Sequence, residues 1–557
     1  MSRFLLFSFL LLPVGLLINC GPEHPPETER FTRADSLRGS LTPERSWWDV
    51  TFYDLHVAID PADSSISGKN TIQYQVTDRI REMQIDLLPP LEVDRIIQNK
   101  QRLPFRRDST AYFAKIQGAQ EPGEHHSITV YYHGRPQVAE KPPWDGGFIW
   151  TTDKNGNPWV ATANQGIGAS VWWPNKDHLS DEPDSMRISI RVPNGIKDVS
   201  NGRLVDTEKH DDGTTTWSWF VSNPINNYNA AVNAGDYLHF GDTYRGEAGQ
   251  LDLDFWVMPY NLDKAKVQFR QVNPMLECFE HWFGPYPFYE DGYKLVEVPY
   301  LGMEHQSAVA YGNGFQNGYR GTDLSGTGWG LEWDFIIVHE SGHEWFGNNI
   351  SVKDIADLWV HEGFTHYSEN LYVECRFGKQ AGSEYVIGVR DRILNNRPII
   401  GPYGVRQAGS DNDMYYKGGN MLHTIRQIVD DDSLWREILR GMNREFRHQT
   451  VTSEQIEQYI INRSGKDLQK TFDQYLRHTD LPVFQYYIEG NTLHYRWKAD
   501  VNGFDMPLKV TLEAGRYSFI YPVTERWKET ALSLDDSMLF AVDQNFYVKQ
   551  EPLETKP

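Results

Sequence analysis

The hydrophobic period of this chain changes twice, and that double change constrains its fold more than any other feature. From Trp47 to about Phe240 apolar residues alternate; within Val50 to Ile59, for example, Tyr53, Leu55, Val57 and Ile59 fall on one side. Alternation with a period of two marks half-buried strands. Turn residues such as Asp60-Pro61-Ala62-Asp63 separate the runs, and Thr71 to Val76, Ser127 to Tyr132 and Met186 to Val192 repeat the pattern. From about Leu262 the period becomes helical. Lys264 to Phe283 carries apolar residues at helical spacing and stops at Gly284-Pro285, with Pro274 predicting a kink or break inside it.

A short strand over Tyr293 to Val298 comes next, and helices then dominate to about Leu476. They are expected over Glu332 to Phe346, Glu362 to Phe377, Lys417 to Asp430, Ser433 to Glu445 and Ser453 to Arg463. Alternation returns from about Phe484 to Val548. The expected class is multidomain α+β. An antiparallel β domain occupies 46–245, a mainly helical domain 246–483 and a small β domain 484–557.

Composition narrows the partners. At 39% hydrophobic over 557 residues the chain can bury several cores. A net charge of −22 argues against nucleic acid and against docking on anionic lipid, since both need a basic footprint. Phe4 to Ile18 is almost wholly apolar, too short to span a membrane and suited to a signal-peptide core. Leu17-Ile18-Asn19-Cys20-Gly21 resembles a bacterial lipobox, although Asn19 departs from the small residue usual there. Residues 1–19 then read as a lipoprotein signal peptide, with Cys20 lipidated and the protein exported to the periplasmic side of a membrane or the cell surface. A plain secretory signal is the alternative. Residues 20–45, Pro-rich and charged, read as a flexible tether, leaving the lipid as the only membrane contact. Of the other cysteines, Cys278 and Cys375 could pair or stay as two buried thiols.

The chemistry is concentrated in Val338-His339-Glu340-Ser341-Gly342-His343-Glu344. On a helix His339 and His343 project from one face, a turn apart, and can take two corners of one zinc tetrahedron. Glu340 is placed to reach a water at the metal without ligating it. A catalytic site needs a third protein ligand. Glu362, nineteen positions after His343 and on the next predicted helix, supplies it. A third His ligand further along is excluded, because Phe346 and Asn349 stand where that pattern needs Gly and His.

With those residues the chain resembles the aminopeptidase N and leukotriene hydrolase family of zinc peptidases. Residues 339–365, including Trp359-Val360-His361-Glu362-Gly363-Phe364, match that family's pattern. Leu301-Gly302-Met303-Glu304-His305 matches its Gly-x-Met-Glu-Asn motif in part, with Leu301 and His305 as departures. Tyr415-Tyr416-Lys417-Gly418 matches its Tyr-x-Lys-Gly, and Asn164-Gln165-Gly166 the place of a substrate-binding Gln or Glu. The resemblance implies a thermolysin-like catalytic domain and one zinc ion. It implies Glu304 and Gln165, beside Gly302 and Met303, holding a substrate's free amine, and Tyr415 donating to the oxyanion. It also implies Glu340 as base, and peptides with a free N-terminus as substrates. His361 and His366 read as supporting or surface residues. The rivals are a thermolysin-like endopeptidase, an epoxide hydrolase on the same zinc, and a non-catalytic surface lipoprotein with a peptidase fold. The sequence does not fix the oligomeric state.

Overall fold

The computed structural model describes residues 31–79, 81–409, 412–513, 515–533 and 539–554. Cys20, the predicted leader and the first part of the predicted tether lie outside them. Among the described residues no helix is long and apolar enough to cross a membrane.

The remainder of the expected tether is structured, which corrects that reading. Helix α1 (Arg33–Gly39) opens with a capping box between Thr32 and Asp35, and α2 (Pro43–Ser46) follows. Leu37 and Arg45 are fully buried. The Arg45 guanidinium meets the Asp86 carboxylate at 2.6 Å, also out of solvent. Composition misled here because this segment is held by buried charge pairing and hydrogen bonds rather than by apolar area.

The alternating region forms an eight-stranded sheet in the order Arg203–Lys209, Thr214–Val221, Ser185–Pro193, Trp48–Asp60, Ser65–Val76, His125–Gly134, Glu92–Gln98, Gln101–Leu103. It is mixed rather than purely antiparallel, because Trp48–Asp60 and Ser185–Pro193 run parallel. Tyr53, Leu55 and Val57 face its core, as alternation predicts. A four-stranded sheet containing Pro158–Ala163 lies beside it and leads into the loop bearing Gln165.

The boundary expected at 245/246 falls inside a hairpin. Leu238–Gly246 pairs with Gly249–Val257, which pairs in parallel with Tyr293–Glu297. Both hairpin strands therefore belong to a five-stranded sheet that also contains Val309–Tyr311 and Gly302–Met303. Helices follow: α3 (Leu262–Gln268), α4 (Val272–Phe283), α5 (Phe335–Gly342), α6 (Trp359–Phe377), α7 (Lys379–Gly388), α8 (Asp413–Val429), α9 (Asp432–Glu445), α10 (Ser453–Ser464) and α11 (Gln469–Arg477). The break predicted at Pro274 occurs earlier, at Phe269–Gln271, and Pro274 sits in the first turn of α4, where its missing N–H costs nothing. Cys278 of α4 and Cys375 of α6 are disulfide-bonded, which decides between the two readings of these residues.

The C-terminal strands Val483–Glu489, Thr492–Lys498, Lys528–Ala531 and Lys549–Pro552 form one sheet. Phe484, Trp497 and Phe504 pack into the same apolar core as α4, α6 and α8. The C-terminal β region and the helical region thus share one core.

Candidate active site

Helix α5 is fixed at its start by Asp334. Its Oδ1 accepts from the Ile336 and Ile337 amides, and its Oδ2 from Tyr311 and Gln268. A side-chain cap of this kind satisfies amides that have no partner inside the helix. Ile336, Ile337 and Val338 are buried behind it. The helix ends at Gly342, and the chain turns back through Gly347, where φ is +128°, a value reserved for glycine. Strand Ile350–Val352, paired with Gln449–Val451, then sets the start of α6.

The result brings His339, His343 and Glu362 together in the interior, one ligand atom from each lying within 4.8 Å of the others. His343 Nε2 is 3.3 Å and His339 Nε2 3.9 Å from Glu362 Oε2. Bonds of about 2.0–2.1 Å at tetrahedral angles place ligand atoms about 3.3–3.4 Å apart, so the three fit a zinc-sized ion. The other ring nitrogens are already engaged. His339 Nδ1 donates to Glu369 Oε1 at 2.7 Å, and His343 Nδ1 donates to the Phe346 carbonyl at 3.0 Å. Both Nε2 lone pairs are thereby turned toward the shared centre. Glu362 Oε1 accepts from Gln165 Nε2 at 2.6 Å, while the buried Oε2 has no hydrogen-bond partner. A second group, Glu304, Glu340 and His343, meets the same distance test. The first set fits better, because its free oxygen and both oriented imidazoles converge on one point.

The surroundings are strongly acidic. Burial raises Glu340 well above the carboxylate range, and Glu304 raises it further. Burial likewise raises Glu304, with His343 opposing. Burial works against the charge of Glu362 too, but His343 outweighs it and holds this group down to about 2. A cluster of three buried carboxylates around two imidazoles is a site short of positive charge.

Gly302 and Met303 lie on a strand edge against Val309–Tyr311. A Cβ on Gly302 would stand 2.9 Å from Glu340 Oε1 and 2.8 Å from Ile336, so only glycine leaves that carboxylate its place. Met303 packs with Tyr228 and Tyr300. Glu304 is buried, its Oε1 accepting from the Tyr228 hydroxyl at 3.2 Å and its carbonyl from Asn348 Nδ2 at 3.0 Å. Tyr415, in the first turn of α8, lies over His339 with ring centroids 5.9 Å apart. Gly363 and Gly418 face each other at the α6–α8 crossing, where a Cβ on Gly363 would stand 3.4 Å from the Gly418 Cα. That close approach brings Tyr415 over His339. Burial pushes its phenol well above its usual range, and Glu362, Glu304 and Glu340 add to the shift, so it stays a donor. Gln165, Gly302, Met303, Glu304, His339, Glu340, His343, Glu362 and Tyr415 line one cavity of about 560 Å³, together with Pro143 and Trp144.

Sequence reading missed Glu369, Tyr228 and Asn348. Glu369 was findable: it follows Glu362 by seven positions on α6 and so shares its face. Its Oε2 accepts from Tyr385 at 2.6 Å and lies 3.1 Å from His366 Nδ1. His366 is therefore a buried support, and His361, which accepts from the Val352 amide at 2.9 Å, is another.

Comparison with known proteins places this arrangement. The peptidase family M1 domain model matches residues 268–475. A probable aminopeptidase 1 of Sulfurisphaera tokodaii is 21% identical over 62% of this chain and 44% of its own. A leucyl aminopeptidase of Saccharolobus solfataricus is 20% identical over 65% and 44%. Aminopeptidase B of Mus musculus is 24% identical over 55% and 46%. The chain spans about half the length of the curated relatives it matches. An M1 zinc metallopeptidase variant from Deinococcus radiodurans superposes with a TM-score of 0.67 at 20% identity, covering 80% of this chain and 98% of that one. The multidomain α+β fold is thus shared with a solved structure.

Proposed function

We propose that the protein is a zinc-dependent aminopeptidase that removes N-terminal residues from peptides. The observation that carries this reading is the pairing of two sites in one cavity. One is the ligand set His339, His343 and Glu362; the other is the buried Glu304, beside them and steadied by Tyr228. A metal ion there, when bound, supplies Lewis-acid charge to the scissile carbonyl and eases deprotonation of water. Glu304 pairs with the substrate ammonium, and so selects the first peptide bond. Glu340 takes the proton from the attacking water and returns it to the leaving amine. Tyr415 donates to the oxygen that gains charge in the transition state. Names among the relatives support aminopeptidase action, and a Deinococcus radiodurans M1 zinc metallopeptidase has been solved with a Tyr-Ser-Ala substrate. The apolar leader and Cys20 support export and lipid anchoring.

The test is hydrolysis by the full chain of two matched peptides, one with a free amine and one N-acetylated, with and without chelator. Chelator-sensitive, residue-by-residue cleavage of the free peptide alone is expected. Cleavage of both peptides would replace this reading with an endopeptidase. Cleavage of neither by metal-loaded protein would leave a binding protein with a peptidase fold.

A further inference from the structure

The amine anchor and the metal ligands give the cavity a direction. Glu304, Tyr228 and Gln165 stand on one flank of Glu362 and His343. On the other flank His339 is bonded to Glu369, and Glu369 meets His366. The His366 ring meets Tyr416 edge-on, with centroids 5.0 Å apart. A peptide with its amine at Glu304 and its first carbonyl at the metal ligands must run on away from Glu304, toward this second flank. There Tyr319, Leu324, Arg392 and Tyr416 line the wall.

Arg392 is half-buried, and its Nε donates to the Leu324 carbonyl at 2.8 Å, which fixes the guanidinium plane. Arg426, Arg440 and Arg477 each meet a carboxylate within 2.8 Å. Arg392 meets none within ion-pair distance among the described residues. Its charge does reach the cavity. Burial raises the Tyr319 and Tyr416 phenols, the latter to about 12, and Arg392 opposes the rise in both. In a chain of net charge −22, a half-buried arginine that faces a cavity and meets no carboxylate among the described residues is suited to receive an anion.

We propose that Arg392 receives a substrate carboxylate on the leaving side of the scissile bond, which makes short peptides, whose C-terminal carboxylate reaches it, the preferred substrates. This inference rests on the aminopeptidase reading of the same site. A planar fork of N–H donors matches a carboxylate in two parallel hydrogen bonds. The carboxylate has two sources: the C-terminus of a short peptide, or an acidic side chain after the scissile bond.

The experiment uses the zinc-loaded full chain and leucyl-alanine peptides of increasing length, each as free acid and as C-terminal amide. A second set of amidated peptides carries Glu or Gln after the scissile bond. The free acid is expected to exceed its amide in kcat/KM by roughly tenfold or more at one short length, chiefly through KM, with the ratio fading as the peptide lengthens. Preference for Glu over Gln in the amidated set supports the same site with the side chain as source. Arg392→Gln should collapse these ratios and Arg392→Lys should recover part of them. Equal turnover of acid and amide at every length, together with equal turnover of the Glu and Gln peptides, overturns this inference alone. No hydrolysis of any free-amine peptide overturns it together with the aminopeptidase reading. The wild-type ratios decide the matter even where a variant fails to fold.

Discussion

Gln165 reaches out of the N-terminal β region and donates its Nε2 to Glu362 Oε1 at 2.6 Å, across 197 residues of sequence. The contact ties the proposed metal ligand of one region to a loop of another. Groups that hold a metal ligand in place typically contribute 10- to 100-fold to metal affinity or activity. Gln165→Ala should therefore lower kcat/KM by about that factor. Steady-state kinetics with a zinc-competition titration would check it, and unchanged values in both would show the contact to be idle.

Glu369 should matter through the metal rather than through substrate. It accepts from His339 Nδ1 at 2.7 Å and from Tyr385 at 2.6 Å. Glu369→Gln should weaken zinc binding by roughly 10- to 100-fold, and excess zinc should recover much of the lost rate. A variant that binds zinc normally but turns over slowly would refute that assignment.

The Cys278–Cys375 bond closes a sequence separation of 97 residues between α4 and α6. Replacing both with serine should lower stability by about 2–5 kcal/mol. Cys375 sits near the far end of α6 from Glu362, about 20 Å along the axis at ~1.5 Å per residue, so turnover at low temperature should persist. Thermal unfolding and peptide hydrolysis, measured on the same sample, separate the two effects. An unaltered melting temperature would contradict the expectation.

Asp198 is fully buried. Burial pushes its carboxyl well above the ordinary value of 3.8, against the opposing pull of the Asn233 backbone and the Trp219 indole. The folded protein therefore keeps a proton that the unfolded chain releases. The stabilisation is complete below the unfolded value and is lost as pH rises above it, by up to about 1.4 kcal/mol per pH unit. Asp198→Asn removes this dependence. The melting temperature of the variant, relative to wild type, should be higher at pH ~8 than at pH ~5, because only the wild type loses stability between them. Equal differences at both pH values would mean the carboxyl is not protonated in the folded state.

The grouping of the proposed metal ligands was legible in the sequence because their spacing is local. His339 and His343 share a helix face, and Glu362 opens the next helix. Tyr415 was legible through its motif and the glycines beside it. Tyr228, Asn348 and Arg392 were not, since each meets its partner only after distant segments fold together; Tyr228 and Glu304 are 76 residues apart. The strand Leu238–Gly246 alternates like its predecessors, and alternation alone does not say which sheet a strand will join. The helices of residues 33–46 were hidden for the opposite reason. Their sequence carries little apolar residue, and what fixes them is the buried Arg45–Asp86 pair.

Those two helices also act as a strut. Arg38 donates to the Ile167 carbonyl, two residues beyond Gln165, and the Asp35 carbonyl accepts from the Arg406 amide at 3.3 Å, on the approach to α8 and Tyr415. Arg406 in turn donates to the Gly166 carbonyl at 3.1 Å. The segment just after the predicted leader thus braces the loop bearing Gln165 and the loop leading to Tyr415. A recombinant protein trimmed to begin at residue 46, as sequence composition alone would suggest, would lose that brace. The furthest trimming that keeps the brace ends ahead of Thr32, where the capping box of α1 begins.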